Sequence, residues 1–349
     1  MIFSKFSQLI TLILLIAFLI ISCQGDDYPM SQSVSDSSSE IVTCQTIEHG
    51  AGETKICGQP QRIAVLGPYV LEPLLALNVQ PIAYADHFPV HQGDYTNPEQ
   101  QIPYLGDRIT QPLANIGQAF TPSLEALLKI EPDLILGTDL SNASLYETLS
   151  KIAPTLLVNY DEPEESLRTI AQAVNRTEQV QQVLAQRARH IEKAREAFAP
   201  FVATHPNIVL LAASQLQKMY WERPNSPCSL AIEELGFQRL PLPDTVPASS
   251  APMSLEVLPQ LKDADSIVVL GFNFNGVKQR DRMGFKDEQL SSLKQEWAKN
   301  PITQSLDASK TGRVYFIPLY LCRGLPGAIG TQLYLEELQE ELLILPQQN

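Results

Sequence analysis

Residues 177–199 read TEQVQQVLAQRARHIEKAREAFA and are followed by Pro200. Val180, Val183, Leu184, Ala188, Ile191, Ala194 and Phe198 fall on one face of a helical period, with charged and amide side chains on the other. Thr177 stands where a hydroxyl caps a helix, and Pro200, which has no amide proton, stands where one should stop. A helix over 177–199 would be about 35 Å long at 1.5 Å per residue, the height of a small domain. Residues 164–174 have helical spacing as well. A coiled coil is the competing reading, but about three heptads without a clean apolar seam argue against it.

The chain repeats one plan on either side of this helix. Before it, residues 62–67 (RIAVLG), 81–84 (PIAY), 133–137 (DLILG) and 155–158 (TLLV) are short apolar runs of the kind buried on both faces of a parallel sheet. Helical spacing separates them, over 71–77, 123–129 and 146–152. After it come a strand at 207–211, a helix at 228–235 closed by Gly236, a helix at 254–261 and strands at 265–271 and 313–317. A helix over 328–345 ends the series. Alternation of this kind specifies an α/β chain with largely parallel sheets, and the join between its halves is where a ligand cleft belongs.

The first 23 residues set the compartment. Lys5 is followed by an apolar stretch from Leu9 to Ile21 and by Ile20-Ile21-Ser22-Cys23, a small residue before a cysteine. This is a secretory signal ending in a lipobox-like site, so residues 1–22 are expected to be removed and Cys23 to carry lipid. An uncleaved anchor or ordinary cleavage beside a chance cysteine are the alternatives. The segment that follows holds six serines between Ser31 and Ser39. It is too polar to build a core and reads as a flexible tether. Beyond Cys23 lie Cys44, Cys57, Cys228 and Cys322, an even number suited to disulfides outside the cytoplasm. Cys44 and Cys57 close a short loop. Cys228 and Cys322 meet only if two distant segments line the same side of a cleft. Free buried thiols are the alternative for both pairs.

With 25 Lys and Arg against 39 Asp and Glu, the formal net charge is −14, which repels a phosphate backbone and argues against nucleic-acid binding. His87 and His91 are four apart, but Pro89 breaks the helix that would make them a metal pair. The glycines 271 and 276 have phosphate-loop spacing, yet Val277 stands where that loop requires Lys. No nucleophile elbow occurs. No resident metal or cofactor is expected.

Several segments together resemble the iron-siderophore and cobalamin solute-binding proteins of bacterial ABC importers, the class whose lobes are bridged by a rigid helix. Residues 61–66 (QRIAVL) and 72–82 (EPLLALNVQPI) look like that family's opening strand, helix and strand. Residues 122–127 (PSLEAL) through 131–136 (EPDLIL) are similar to its most recognisable stretch. Residues 146–147, 152–155 (IAPT), 254–258 (SLEVL) and 312–315 (GRVY) continue the series, which spans about 44–345. The resemblance implies two Rossmann-like lobes with mostly parallel sheets joined by one long rigid helix, with a ligand cleft between them. The expected divisions are a signal peptide at 1–22, a tether at 23–43, an N-terminal lobe at 44–162, linking helices at 163–200 and a C-terminal lobe at 201–349.

The resemblance implies a lipid-anchored, extracytoplasmic, monomeric binding protein of the periplasm or cell surface. It would capture a ferric siderophore, which brings its own iron ligands, and deliver it to a permease dimer. Glu125 and Glu256, in matched pentapeptides, correspond to the family's permease-docking carboxylates; a helix-dipole role in the first turn is the alternative for each. A bulky, oxygen-rich chelate calls for aromatic faces and cations on loops after strands. Tyr69, Arg108 and Gln118 are the candidates in the first lobe. Tyr220, Trp221, Arg223, Phe274, Tyr320 and Arg323 are those in the second. A cobalamin- or haem-binding member of the same class, a metal-cluster enzyme subunit using Cys228 and Cys322, and a module that kept the fold without a ligand are the other readings.

Overall fold

The computed structural model describes residues 43–88, 91–241, 252–274 and 281–344. The signal peptide, the serine-rich tether, Cys23 and Val277 lie outside the described residues.

Three sheets organise the described residues. A hairpin of β1 (Cys44–His49) and β2 (Gly52–Cys57) opens it, with Cys44 opposite Cys57. The first main sheet contains β3 (Ile63–Leu66), β4 (Ala83–Asp86), β5 (Ala114–Gln118), β6 (Thr121–Pro122), β7 (Leu134–Thr138) and β8 (Thr155–Val158). Its spatial order is β6-β5-β4-β3-β7-β8, all parallel except β6. Every residue of β3, β4, β7 and β8 is buried, as expected for strands covered on both faces. The chain leaves β3 toward β4 and later returns to the other side of β3 as β7. That reversal opens a crevice beyond the carboxyl ends of β3 and β7.

The second main sheet has β9 (Asn207–Gln215), β10 (Lys218–Trp221), β12 (Ser266–Gly271) and β13 (Val314–Pro318) in the order β10-β9-β12-β13, with β11 (Gln238–Arg239) also paired to β9. Only β10 is antiparallel. The principal helices are α1 (Pro68–Ala76), α2 (Leu124–Ile130), α3 (Pro163–Ala173), α4 (Thr177–Thr204), α5 (Pro227–Glu234), α6 (Arg282–Lys299) and α7 (Ala328–Gln339). Residues Glu340–Ile344 carry α7 onward as a wider π-type turn. No described helix is long and apolar enough to cross a membrane.

Helix α4 is the connecting rod between the lobes, with 28 residues and a length of about 42 Å. Two expectations about its ends are corrected. Pro200 lies inside the helix, which continues to Thr204. Its ring costs one backbone bond in an exposed last turn, while Phe201 packs on Phe237 and Tyr315 at centroid distances of 6.0 and 6.5 Å and holds that turn in place. Thr177 is the first helical residue and no cap: Arg176 occupies the cap position and makes no side-chain cap bond. The expected helix at 254–261 is a 3-10 helix, Leu255–Gln260, with Pro259 inside it.

A single apolar cluster runs through both lobes. It joins Val65, Leu74 and Leu136 of the first to Leu210, Ile317 and Leu321 of the second, by way of Phe198 on α4 and Tyr334 on α7. Smaller clusters back each sheet on its outer face. Among the described residues there are two disulfides, Cys44–Cys57 with an S–S distance of 2.06 Å and Cys228–Cys322 with 2.10 Å. The second ties α5 to the turn that follows β13.

Candidate functional site

The turns at the carboxyl ends of the central strands meet between the lobes. From the first lobe come Pro68 and Tyr69 after β3, His87 and Phe88 after β4, Asp139 and Leu140 after β7, and Tyr160 and Asp161 after β8. From the second come Phe274 after β12, Leu319, Tyr320 and Arg323 after β13, and Arg223 after β10. They enclose three adjoining hollows of 170, 330 and 610 Å³. Tyr160 and Arg323 line all three.

Aromatic rings build the walls. Tyr69 and Tyr160 stack at 4.4 Å, and the Tyr69 hydroxyl donates to the Tyr160 carbonyl. Phe88 meets Phe274 across the lobes at 4.4 Å, and Phe274 stands edge-on to Tyr320 at 6.4 Å. The Tyr160 hydroxyl donates to the Arg323 carbonyl at 3.0 Å, so a hydrogen bond also crosses between the lobes. Burial pushes the Tyr69 and Tyr160 phenols upward, Arg323 opposing it at Tyr160, and burial lowers His87. At neutral pH these groups are uncharged donors and faces.

The charges are paired. Arg323 Nε lies 3.8 Å from the buried Glu222 carboxylate, and Arg223 lies 3.4 Å from Asp161. Asp139 Oδ1 accepts from the amides of Leu140 at 2.7 Å and Tyr160 at 3.1 Å, which fixes the turn that presents Tyr160. Among the described residues no three His, Cys, Asp or Glu side chains gather as metal ligands. The arrangement offers flat apolar faces with cations at their edge, suited to holding a bulky polar complex.

Residues 63–321 match the family model described as periplasmic binding protein. The chain belongs to that family. It is 25% identical over 310 residues to the Fe(3+)-citrate-binding protein YfmC of Bacillus subtilis (strain 168), an alignment covering 87% of this chain and 86% of the relative. A periplasmic solute binding protein from Mycobacterium smegmatis has the same fold, with TM-score 0.67, 20% identity and coverage of 86% of this chain and 97% of that one. Staphylococcus aureus SirA, solved with staphyloferrin B, superposes with TM-score 0.64 at 19% identity over 85% of this chain and 97% of its own.

Within this binding-protein fold the sequence candidates divide. Tyr69, Arg223, Phe274, Tyr320 and Arg323 come together at the cleft. Four others do not line it. Arg108 belongs to the 3-10 turn Gly106–Arg108 and lines a separate hollow beside α4. Gln118 ends β5 and accepts from Thr121 Oγ1 at 3.5 Å in the β5–β6 hairpin. Tyr220 and Trp221 lie within β10, the return strand of a hairpin, so their side chains take opposite faces of the sheet. Tyr220 meets Phe272 at 6.1 Å, and Trp221 packs against the outer core of the second lobe. The expectation that both lie on a loop after β9 is overturned by this hairpin.

Tyr160, Phe88, His87, Asp139 and Asp161 are cleft residues that the sequence reading passed over as ligand contacts. Each follows a buried strand, and that position was a usable signal. His87 and His91 do not form a pair: His91 Nε2 bonds the Asp94 carbonyl and Gln101, while His87 packs on Phe120 at 4.8 Å. Glu125 and Glu256 are exposed in the first turns of α2 and of the 3-10 helix Leu255–Gln260, one on each lobe.

Proposed function

We propose that this protein is a lipid-anchored, extracytoplasmic binding protein that captures an Fe(III)–siderophore between its lobes and delivers it to an ABC importer without performing a reaction. The observation that carries the reading is the cleft in which Tyr160 and Arg323, one from each lobe, line three adjoining hollows and are joined by the hydrogen bond from the Tyr160 hydroxyl to the Arg323 carbonyl. The stacked tyrosines and the Phe88–Phe274 contact supply faces for a large chelate. Arg223 and Arg323 supply charge for its oxygens. The ferric citrate and staphyloferrin B named for relatives support iron chelates as the cargo class. Cys23 would hold the lipid, and Glu125 and Glu256 would meet cationic pockets on a permease dimer.

Titration of the mature chain with ferric hydroxamate, catecholate and citrate complexes, followed by quenching of intrinsic fluorescence, tests the reading. Saturable quenching by at least one complex is expected. Tight binding of cobalamin or haem, with no response to any ferric chelate, overturns it. Reversal of both docking carboxylates (Glu125→Lys with Glu256→Lys) should leave chelate affinity unchanged and abolish uptake in the host; unchanged uptake removes the docking role.

A further inference from the structure

Arg108 was expected at the cleft, and its actual surroundings have a chemistry of their own. We propose that the hollow between the end of α1, the turn carrying Arg108, the glutamine-bearing face of α4 and the start of α7 is a binding site for a small polyvalent oxyanion such as phosphate, sulfate or a free tricarboxylate. The hollow measures 220 Å³, below the roughly 300 Å³ at which pockets for drug-sized molecules begin. By itself it is large enough for a compact anion and too small for a ferric chelate. It shares no lining residue with the three hollows of the cleft, and meets at Ala76, Val183, Arg187 and Ala328 a larger hollow of 690 Å³ whose own lining is rich in carboxylates, Glu72 and Glu234 among them.

The lining is selective in charge. The chain carries 39 Asp and Glu, yet neither type lines this hollow. Arg108, Arg187 and His190 do, with the side-chain amides of Asn78, Gln179 and Gln186. Arg108 has no carboxylate within ion-pair distance among the described residues, although its charge reaches the buried Glu72 carboxyl, and its carbonyl accepts from the Gln80 side-chain amide at 3.0 Å. Arg187 is pinned at one side, Nε to Thr331 at 3.2 Å and a terminal nitrogen to Glu234 at 3.3 Å, and the latter contact partly offsets its charge. The Nδ1 of His190 is buried and has no hydrogen-bond partner among the described residues. Planar guanidinium donors beside neutral N–H donors, held on separate rigid elements, suit delocalised negative charge with several acceptor oxygens.

The test is titration of the mature chain with sodium phosphate, sulfate and citrate at ionic strength held constant with chloride. Calorimetry and the ring resonance of His190, one of five histidines, report binding. Saturable binding with a dissociation constant near millimolar is expected for at least one anion. Arg108→Gln should weaken it roughly tenfold or more, about 1.4 kcal/mol per tenfold, while ferric-chelate binding is retained. Should Arg108→Gln fail to fold, Gln186→Leu on the exposed face of α4 replaces it, with a weakening of about threefold. A shift that never saturates, equal affinity in the variants, or displacement of the anion by a saturating ferric chelate overturns the proposal.

Discussion

Glu72 is where pH should be felt most strongly. It sits on α1 in the first lobe with no exposure, and its Oε1 accepts the Ile329 amide at 2.6 Å at the start of α7 in the second. Burial pushes its carboxyl from 4.5 to about 7, against the opposing pull of the Ile329, Gly330 and Gly327 amides and of Arg108. A folded-state value above the unfolded one means that the folded protein holds this proton more tightly. The stabilisation it gives is complete below pH 4.5 and is lost as pH rises through 7. The wild-type chain should therefore lose stability from this group between pH 5 and pH 8, on the order of 3 kcal/mol. Glu72→Gln keeps an acceptor oxygen for Ile329 and should flatten that dependence. Urea unfolding at both pH values checks it, and an unchanged slope in the variant contradicts the account. Arg323 is the second residue of consequence. Arg323→Ala should lower chelate affinity by tenfold or more and also destabilise the fold, because Glu222, 1% exposed, loses its charge partner. A titration and a thermal melt separate the two losses.

Among the elements, α4 depends on a few buried side chains. Phe198 has no exposure and meets Phe237 at 5.8 Å within the cluster common to both lobes. Phe198→Ala should cost about 3–5 kcal/mol, read as a lowered denaturation midpoint. Legibility in the sequence also varied by element. The apolar runs of β3, β7, β8 and β12 could be read directly because both faces are covered. The β1–β2 hairpin could not, since only Ile47, Thr54 and Ile56 turn inward among polar neighbours. Helix α6 is hard to read because its buried apolar residues, Phe285, Leu290, Leu293 and Trp297, are widely spaced among polar and charged side chains. Position after a strand identified Tyr69, Phe274 and Arg323 and would have identified Tyr160 and Phe88. It failed at Tyr220 and Trp221 because β10 turns back directly beside β9, a pairing that no local pattern announces.

At the scale of the whole molecule, α4, the Glu72–Ile329 bond and the Tyr160–Arg323 bond all connect the lobes. Three separate links, one of them a 28-residue helix, leave little freedom for a wide hinge. Small-angle X-ray scattering of the mature chain should show no measurable change in radius of gyration when a ferric chelate saturates it. A clear contraction would mean that the links yield.

The apolar cluster that threads both sheets has one more consequence, for how the protein comes apart. Neither half owns a complete interior, so neither has a stable state once the other is lost. Heating should give one cooperative endotherm whose calorimetric and van't Hoff enthalpies agree, despite the two separate main sheets. A fragment cut at the end of α4 should then behave as an unfolded chain, not as half of a working receptor.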